Sequence, residues 1–199
     1  MKNKLLAGCS LAVVIAMMMA AAPERSSSGA PGAHTGAPGE QTCAASGCHD
    51  DNSVNSGTAS LSILIGDSIS NYIPGKTYAV KIRIADAGVD RFGFQLLALN
   101  NATLKSAGAF HITDAGRTQL IQNTNVFTDR DYVTYTFNGT DAISGTAEWV
   151  VNWTAPVVAV GAVSFYAAGV SADDDMSDKG DHVYTSSKTL VANLKPEAK

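Results

Sequence analysis

Residues 78–85 read YAVKIRIA. Tyr78, Val80, Ile82 and Ile84 alternate with Ala79, Lys81 and Arg83. Successive side chains of an extended chain point to opposite faces, so this period of two predicts a strand with one buried and one wet face. The alternation recurs in EWVVNWT, residues 148–154, where Trp149, Val151 and Trp153 alternate with Val150 and Asn152. Working outward, further strands are predicted at 58–65, 92–99, 132–138, 163–170 and 183–191. Pro74-Gly75, Asn138-Gly139 and Ala155-Pro156 punctuate the runs as turn residues. No window of a dozen residues carries a helical period. Several short strands at this spacing predict an all-β domain, an antiparallel β-sandwich over 58–194.

The first residues set the compartment. Met1 to Lys4 is a short basic start, and 5–22 is almost wholly apolar, ending MMMAAAP with Pro23. This is the pattern of a secretory signal peptide over 1–22, with small residues for cleavage near Ala20 to Ala22. An uncleaved anchor is the competing reading, since about 18 apolar residues is marginally enough to span. Cys9 follows Leu6-Ala7-Gly8, but the apolar run comes after it, so it reads as an ordinary signal-peptide residue. Cleavage removes Lys2 and Lys4 and leaves 12 basic against 18 acidic residues, a net charge near −6. An acidic exported chain is poorly suited to nucleic acid or anionic membrane, and no stable membrane insertion is expected after cleavage. The expected location is periplasmic, cell-surface or extracellular. Residues 23–57 form a lead-in that begins PERSSSGAPGAHTGAPGEQT, with GAPG occurring twice and no apolar period.

Within the lead-in stands TCAASGCHD, residues 42–50. Four residues lie between Cys43 and Cys48, and His49 follows directly. Covalent haem attachment needs two thiols to add to vinyl groups and a histidine directly after the second to reach the iron; the usual form is Cys-x-x-Cys-His. Cys-x₄-Cys-His is a wider version, and Ala44, Ala45, Ser46 and Gly47 are small enough for the loop to bulge. Outside the cytoplasm the same pair also suits a disulfide closing a short loop. A zinc site with Cys43, Cys48, His49 and a fourth ligand is the third option, without a visible second ligand pair.

TGAPGEQTCAASGCHD (35–50), YIPGKTYAVKIRI (72–84), RFGFQLLAL (91–99), WVVNWTAP (149–156), GAVSFYAAGV (161–170) and GDHVYTSS (180–187) resemble the bacterial choice-of-anchor V domain family. That family is itself similar to the Reeler domain of animal extracellular proteins. The resemblance spans roughly residues 29–190. It implies an exported Reeler- or immunoglobulin-like β-sandwich and a cysteine motif that many members carry as Cys-x-x-Cys-His, the haem-attachment form. By that resemblance Cys43 and Cys48 would form the thioethers of one haem c and His49 the proximal iron bond. The function implied is one-electron transfer to a redox partner protein outside the cytoplasm. The alternative is a Reeler-like binding or adhesion module with a Cys43–Cys48 disulfide and no haem. Members often end in a sorting or anchor signal, where this chain ends LKPEAK. Some members carry a histidine in the segment matching YVTYTFNG (132–139), where this chain has Tyr135; if that histidine is an iron ligand in them, this chain lacks that sixth ligand.

A second axial ligand would come from His34, His111, His182 or Met176, each of which also suits an ordinary loop or surface role. Asp173, Asp174, Asp175, Asp178 and Asp181 crowd one loop, SADDDMSDKGD (171–181); calcium is the cofactor that such a cluster suggests, although the spacing is not that of an EF-hand. Trp149, Trp153, Phe92, Phe94, Phe165 and Tyr166 are expected in the core. The sequons at Asn101, Asn138 and Asn152 matter only in a glycosylating host. No Ser/His/Asp order, phosphate-cradling glycine loop or paired-carboxylate frame is present, so no enzyme activity is expected.

Overall fold

The computed structural model describes residues 28–122 and 124–193. The proposed signal peptide and Cys9 lie outside the described residues. The strands are β1 (Ser60–Ile65), β2 (Asn71–Tyr72), β3 (Thr77–Ala85), β4 (Arg91–Asn100), β5 (Ala109–Ile112), β6 (Thr118–Ile121), β7 (Tyr132–Tyr135), β8 (Thr146–Thr154), β9 (Ala162–Ala172) and β10 (His182–Ala192). They form a four-stranded sheet, β1-β3-β8-β5, and a six-stranded sheet, β2-β10-β9-β4-β7-β6. All ladders are antiparallel except the two-residue β2–β10 pair. All seven expected strands are present. The segment expected as a strand over 132–138 pairs only to Tyr135 and then turns through a 3₁₀ element at Phe137–Gly139, whose carbonyl at Gly139 accepts the Trp149 indole N–H at 2.8 Å. Among the described residues no helix is long and apolar enough to cross a membrane.

The alternating faces meet as expected. Val80, Ile82 and Ile84 of β3, and Trp149, Val151 and Trp153 of β8, are buried against Phe92, Phe94 and Leu96 of β4 and Phe165 of β9. Trp153 sits at the centre, with ring centroids of Tyr72, Tyr78 and Phe165 at 5.8, 6.2 and 4.9 Å.

β4 departs from alternation because it is buried on both faces. Its even-numbered residues face the core between the sheets, while Leu97 and Leu99 pack with Ala33, Ala37 and Tyr132 on the other side. The cover there is the lead-in, so the stretch without an apolar period is a strap forming a third layer on the six-stranded sheet. Its second GAPG makes the turn: Glu40 N–H donates to the Ala37 carbonyl at 2.8 Å around Pro38-Gly39, with Gly39 at φ +83°. Proline first and a positive-φ glycine second is the type II pattern. Gly36 N–H to Gln41 and Gln41 N–H to Ala33 then close a small hairpin, with Thr35 bridged to Thr42.

Two buried polar groups fasten the strap. Gln95 of β4, fully buried, donates from Nε2 to the carbonyls of Ala30 (3.2 Å) and Pro31 (2.7 Å) and accepts His34 N–H at 2.8 Å. Glu40, whose side chain is also fully buried, accepts from Arg130 Nη1 at 2.6 Å, Tyr132 Oη at 2.8 Å and Thr35 Oγ1 at 2.6 Å. Arg130 completes its donors on the carbonyls of Pro38 and Leu104. Irregular backbone is thereby paired rather than left dry and unpaired.

Candidate functional site: the cysteine loop on the six-stranded sheet

The strap ends in the Cys43–His49 loop. Ala45 N–H donates to Thr42, Cys48 N–H to Ala45 and His49 N–H to Cys43, so the loop closes on itself. Both cysteines are free thiols; the disulfide alternative is not formed in this structure. Cys43 is buried against Ala168, Val170 and Val183 of β9 and β10, with its sulfur 3.9 Å from the His34 carbonyl. Burial, opposed by a backbone hydrogen bond and reinforced by Cys48, pushes its thiol up to about 12. Cys48 is half-buried.

His49 is held by a partner that its own sequence neighbourhood does not reveal. Its Nδ1 lies 2.5 Å from Oδ2 of Asp181, whose side chain is 1% exposed while that of His49 is 31% exposed. Asp181 stands directly before β10, and 132 residues separate the pair. The loop end is pinned further to the aspartate-rich segment. Lys179 Nζ meets Asp50 at 2.6 Å, Gly180 N–H donates to Asp51 at 2.8 Å and Asn52 donates to the Asp181 carbonyl at 3.0 Å. The Lys179 ammonium holds the Asp50 carboxyl below the usual carboxylate range.

The distal candidates are scattered. His34 is beside Cys43, but its Nδ1 is engaged with the carbonyls of Pro31 and Gly32. His182 packs against Gly57 and Tyr184, with a buried Nδ1 that has no hydrogen-bond partner. His111 is exposed on β5, in the other sheet. Met176 is 83% exposed. Tyr135 stacks over Gly93, where an added Cβ would lie 2.7 Å from its ring, and burial followed by the Cys43 charge raises its hydroxyl pKa. The five aspartates are spoken for: Asp174 pairs with Arg91, Asp178 with Lys179 and Asp181 with His49, while Asp173 and Asp175 accept backbone N–H groups of their own loop. Among the described residues no three His, Cys, Asp or Glu side chains are grouped to hold a metal ion.

The donor chemistry suits a covalently attached haem: two unjoined thiols on one short loop and an imidazole whose Nδ1 is carboxylate-bound. The burial of Cys43 adds a condition, namely that its thiol is open to modification only before the loop docks on the sheet.

The same burial predicts an alkaline weakness. The native state keeps the Cys43 proton, whereas the unfolded chain loses it above the ordinary value of 9.0. This contribution to stability is fully present below that value and declines as pH rises above it. Tyr132 and Tyr135, both raised from 10.0, act in the same direction only at higher pH. Between about pH 9 and 10 the wild type should lose about 1 kcal/mol more than Cys43→Ala in urea unfolding. Equal losses would show that Cys43 is not held protonated.

No family model matches the chain, and no curated protein matches it. Among solved structures, the Reelin-N domain of F-spondin is similar, with a TM-score of 0.51 and 23% identity over 73% of this chain and 94% of that one. The human F-spondin reeler domain gives 0.47 and 24%, over 67% and 89% of the two chains. A cohesin module from a Clostridium perfringens family 33 glycoside hydrolase gives 0.46 and 13%, over 69% and 96%. Strands, layers and the first of these likenesses agree on one conclusion: the chain folds as a Reeler-like β-sandwich.

Proposed function

We propose that this protein is an exported, non-catalytic binding module built on a Reeler-like sandwich. The observation that carries the reading is the fold, which likeness to the Reelin-N domain of F-spondin supports over nearly the whole of that domain. The sequence of 1–22 supplies the export signal. Once that segment is cleaved, the module works outside the cytoplasm and does not stay in a membrane.

A second reading is favoured by the His49–Asp181 pair. In it Cys43 and Cys48 hold one haem c by thioethers, and His49 is the proximal ligand. The haem, when bound, supplies a one-electron centre for exchange with a redox partner protein. The chain's own part is to hold the imidazole by Asp181 and to close the loop over the sheet.

The mature protein exported from a host with cytochrome-maturation machinery separates the two. An unmodified mass and no visible absorption support the module. A mass excess of one haem with a sharp reduced α-band overturns the haem-free reading and establishes the second.

A further inference from the structure

We infer that Asp181 is a positioning residue, whose buried carboxylate fixes His49 in the Nδ1–H tautomer and leaves Nε2 as a preformed nitrogen ligand for iron. The inference deepens the haem reading and rests on it for what the nitrogen binds; the tautomer belongs to the chain alone.

A carboxylate oxygen only accepts, so the 2.5 Å contact makes His49 Nδ1 the donor. The two ring nitrogens lie on opposite edges of the imidazole, which puts Nε2 on the edge away from Asp181. No described residue bonds Nε2, and the side chain is 31% exposed. The isolated histidine side chain favours its proton on Nε2, so Asp181 inverts the default. Asp181 is itself immobilised: Oδ1 accepts Asp173 N–H at 3.2 Å and its carbonyl accepts Asn52 Nδ2 at 3.0 Å. A buried carboxylate is expensive unless paired, and a surface histidine needs no such partner to stay soluble. A carboxylate on the far nitrogen of a metal-bound histidine orients the ring and strengthens the ligating nitrogen as a donor. The His49 ring is therefore held through Nδ1 by Asp181, itself held by Asp173 N–H and Asn52, and Nε2 is left without a bond to any described residue.

The test uses the mature chain labelled with ¹⁵N-histidine, and long-range proton–nitrogen correlation at neutral pH. His49 should show a protonated Nδ1 and a bare Nε2, and Asp181→Ala should shift it toward the Nε2–H form, with Asp181→Glu restoring part of the native signal. A wild-type His49 carrying its proton on Nε2 overturns the inference even if Asp181→Ala fails to fold. In protein loaded by a maturation host, Asp181→Ala should raise the midpoint potential and Asp181→Glu should bring it back toward wild type. A potential unchanged in Asp181→Ala overturns the role toward iron while leaving the haem reading standing. Protein exported without haem sinks that reading instead, and the tautomer still decides: bare Nε2 upholds the positioning role, Nε2–H overturns it.

Discussion

Replacing Glu40 by alanine is expected to lower stability by about 3–5 kcal/mol, the usual cost of removing one partner of a buried ion pair. The Glu40 side chain has no exposed surface and that of Arg130 only 4%. Without the carboxylate, the guanidinium keeps the carbonyls of Pro38 and Leu104 but stays buried with an uncompensated charge, and the hydroxyls of Tyr132 and Thr35 lose their acceptor. Attraction between the charges is not the main term, because desolvation offsets most of it; the cost comes from what is left unpaired. An exposed pair is the control: Lys105 and Asp129, 64% and 45% exposed and 3.5 Å apart, should be worth under about 1 kcal/mol. Urea unfolding of Glu40→Ala and Lys105→Ala checks both. A Glu40→Ala loss as small as the Lys105→Ala loss would mean that the strap is held by something else.

Trp153→Ala is the second large effect, again about 3–5 kcal/mol, now from a cavity. Trp153 is completely buried, ringed by Tyr72, Tyr78 and Phe165, and its indole N–H donates to the Ala107 carbonyl at 2.8 Å. Backbone closes in on it from one side: a Cβ added at Gly108, which sits at φ +79°, would come within 2.5 Å of the indole nitrogen. That side cannot collapse into the void without moving β5. Trp153→Phe keeps much of the volume and strands only the carbonyl, so it should cost about 1–3 kcal/mol. If the two variants unfold at the same urea concentration, volume is not what Trp153 contributes.

The strands that bury one face were legible because alternation is a direct record of it, as in 78–85 and 148–154. β5 and β6, four residues each, and β2, two residues, are too short to establish a period and were not foreseen. The strap was hidden for another reason. It docks through single small residues, Ala33, Ala37 and Cys43, and through a charged residue, Glu40, that composition assigns to the surface. The one signal was on the partner strand: FGFQLLAL in β4 is apolar on both parities, the mark of a strand covered on two faces. In the site, the Cys43, Cys48 and His49 motif was plain from spacing, but Asp181 was not singled out from its four neighbouring aspartates. Its contact with His49 is made by tertiary structure across 132 residues, and local sequence carries no trace of it.

The most direct test of the whole account is alkylation of the exported protein in native buffer, read by intact mass. The predicted result is one adduct, at half-buried Cys48, with Cys43 labelled only as the chain unfolds cooperatively in urea. Two adducts formed together in native buffer would contradict the strap as a docked third layer. No adduct, on a chain heavier by one haem or lighter by two hydrogens, would contradict a module with free thiols.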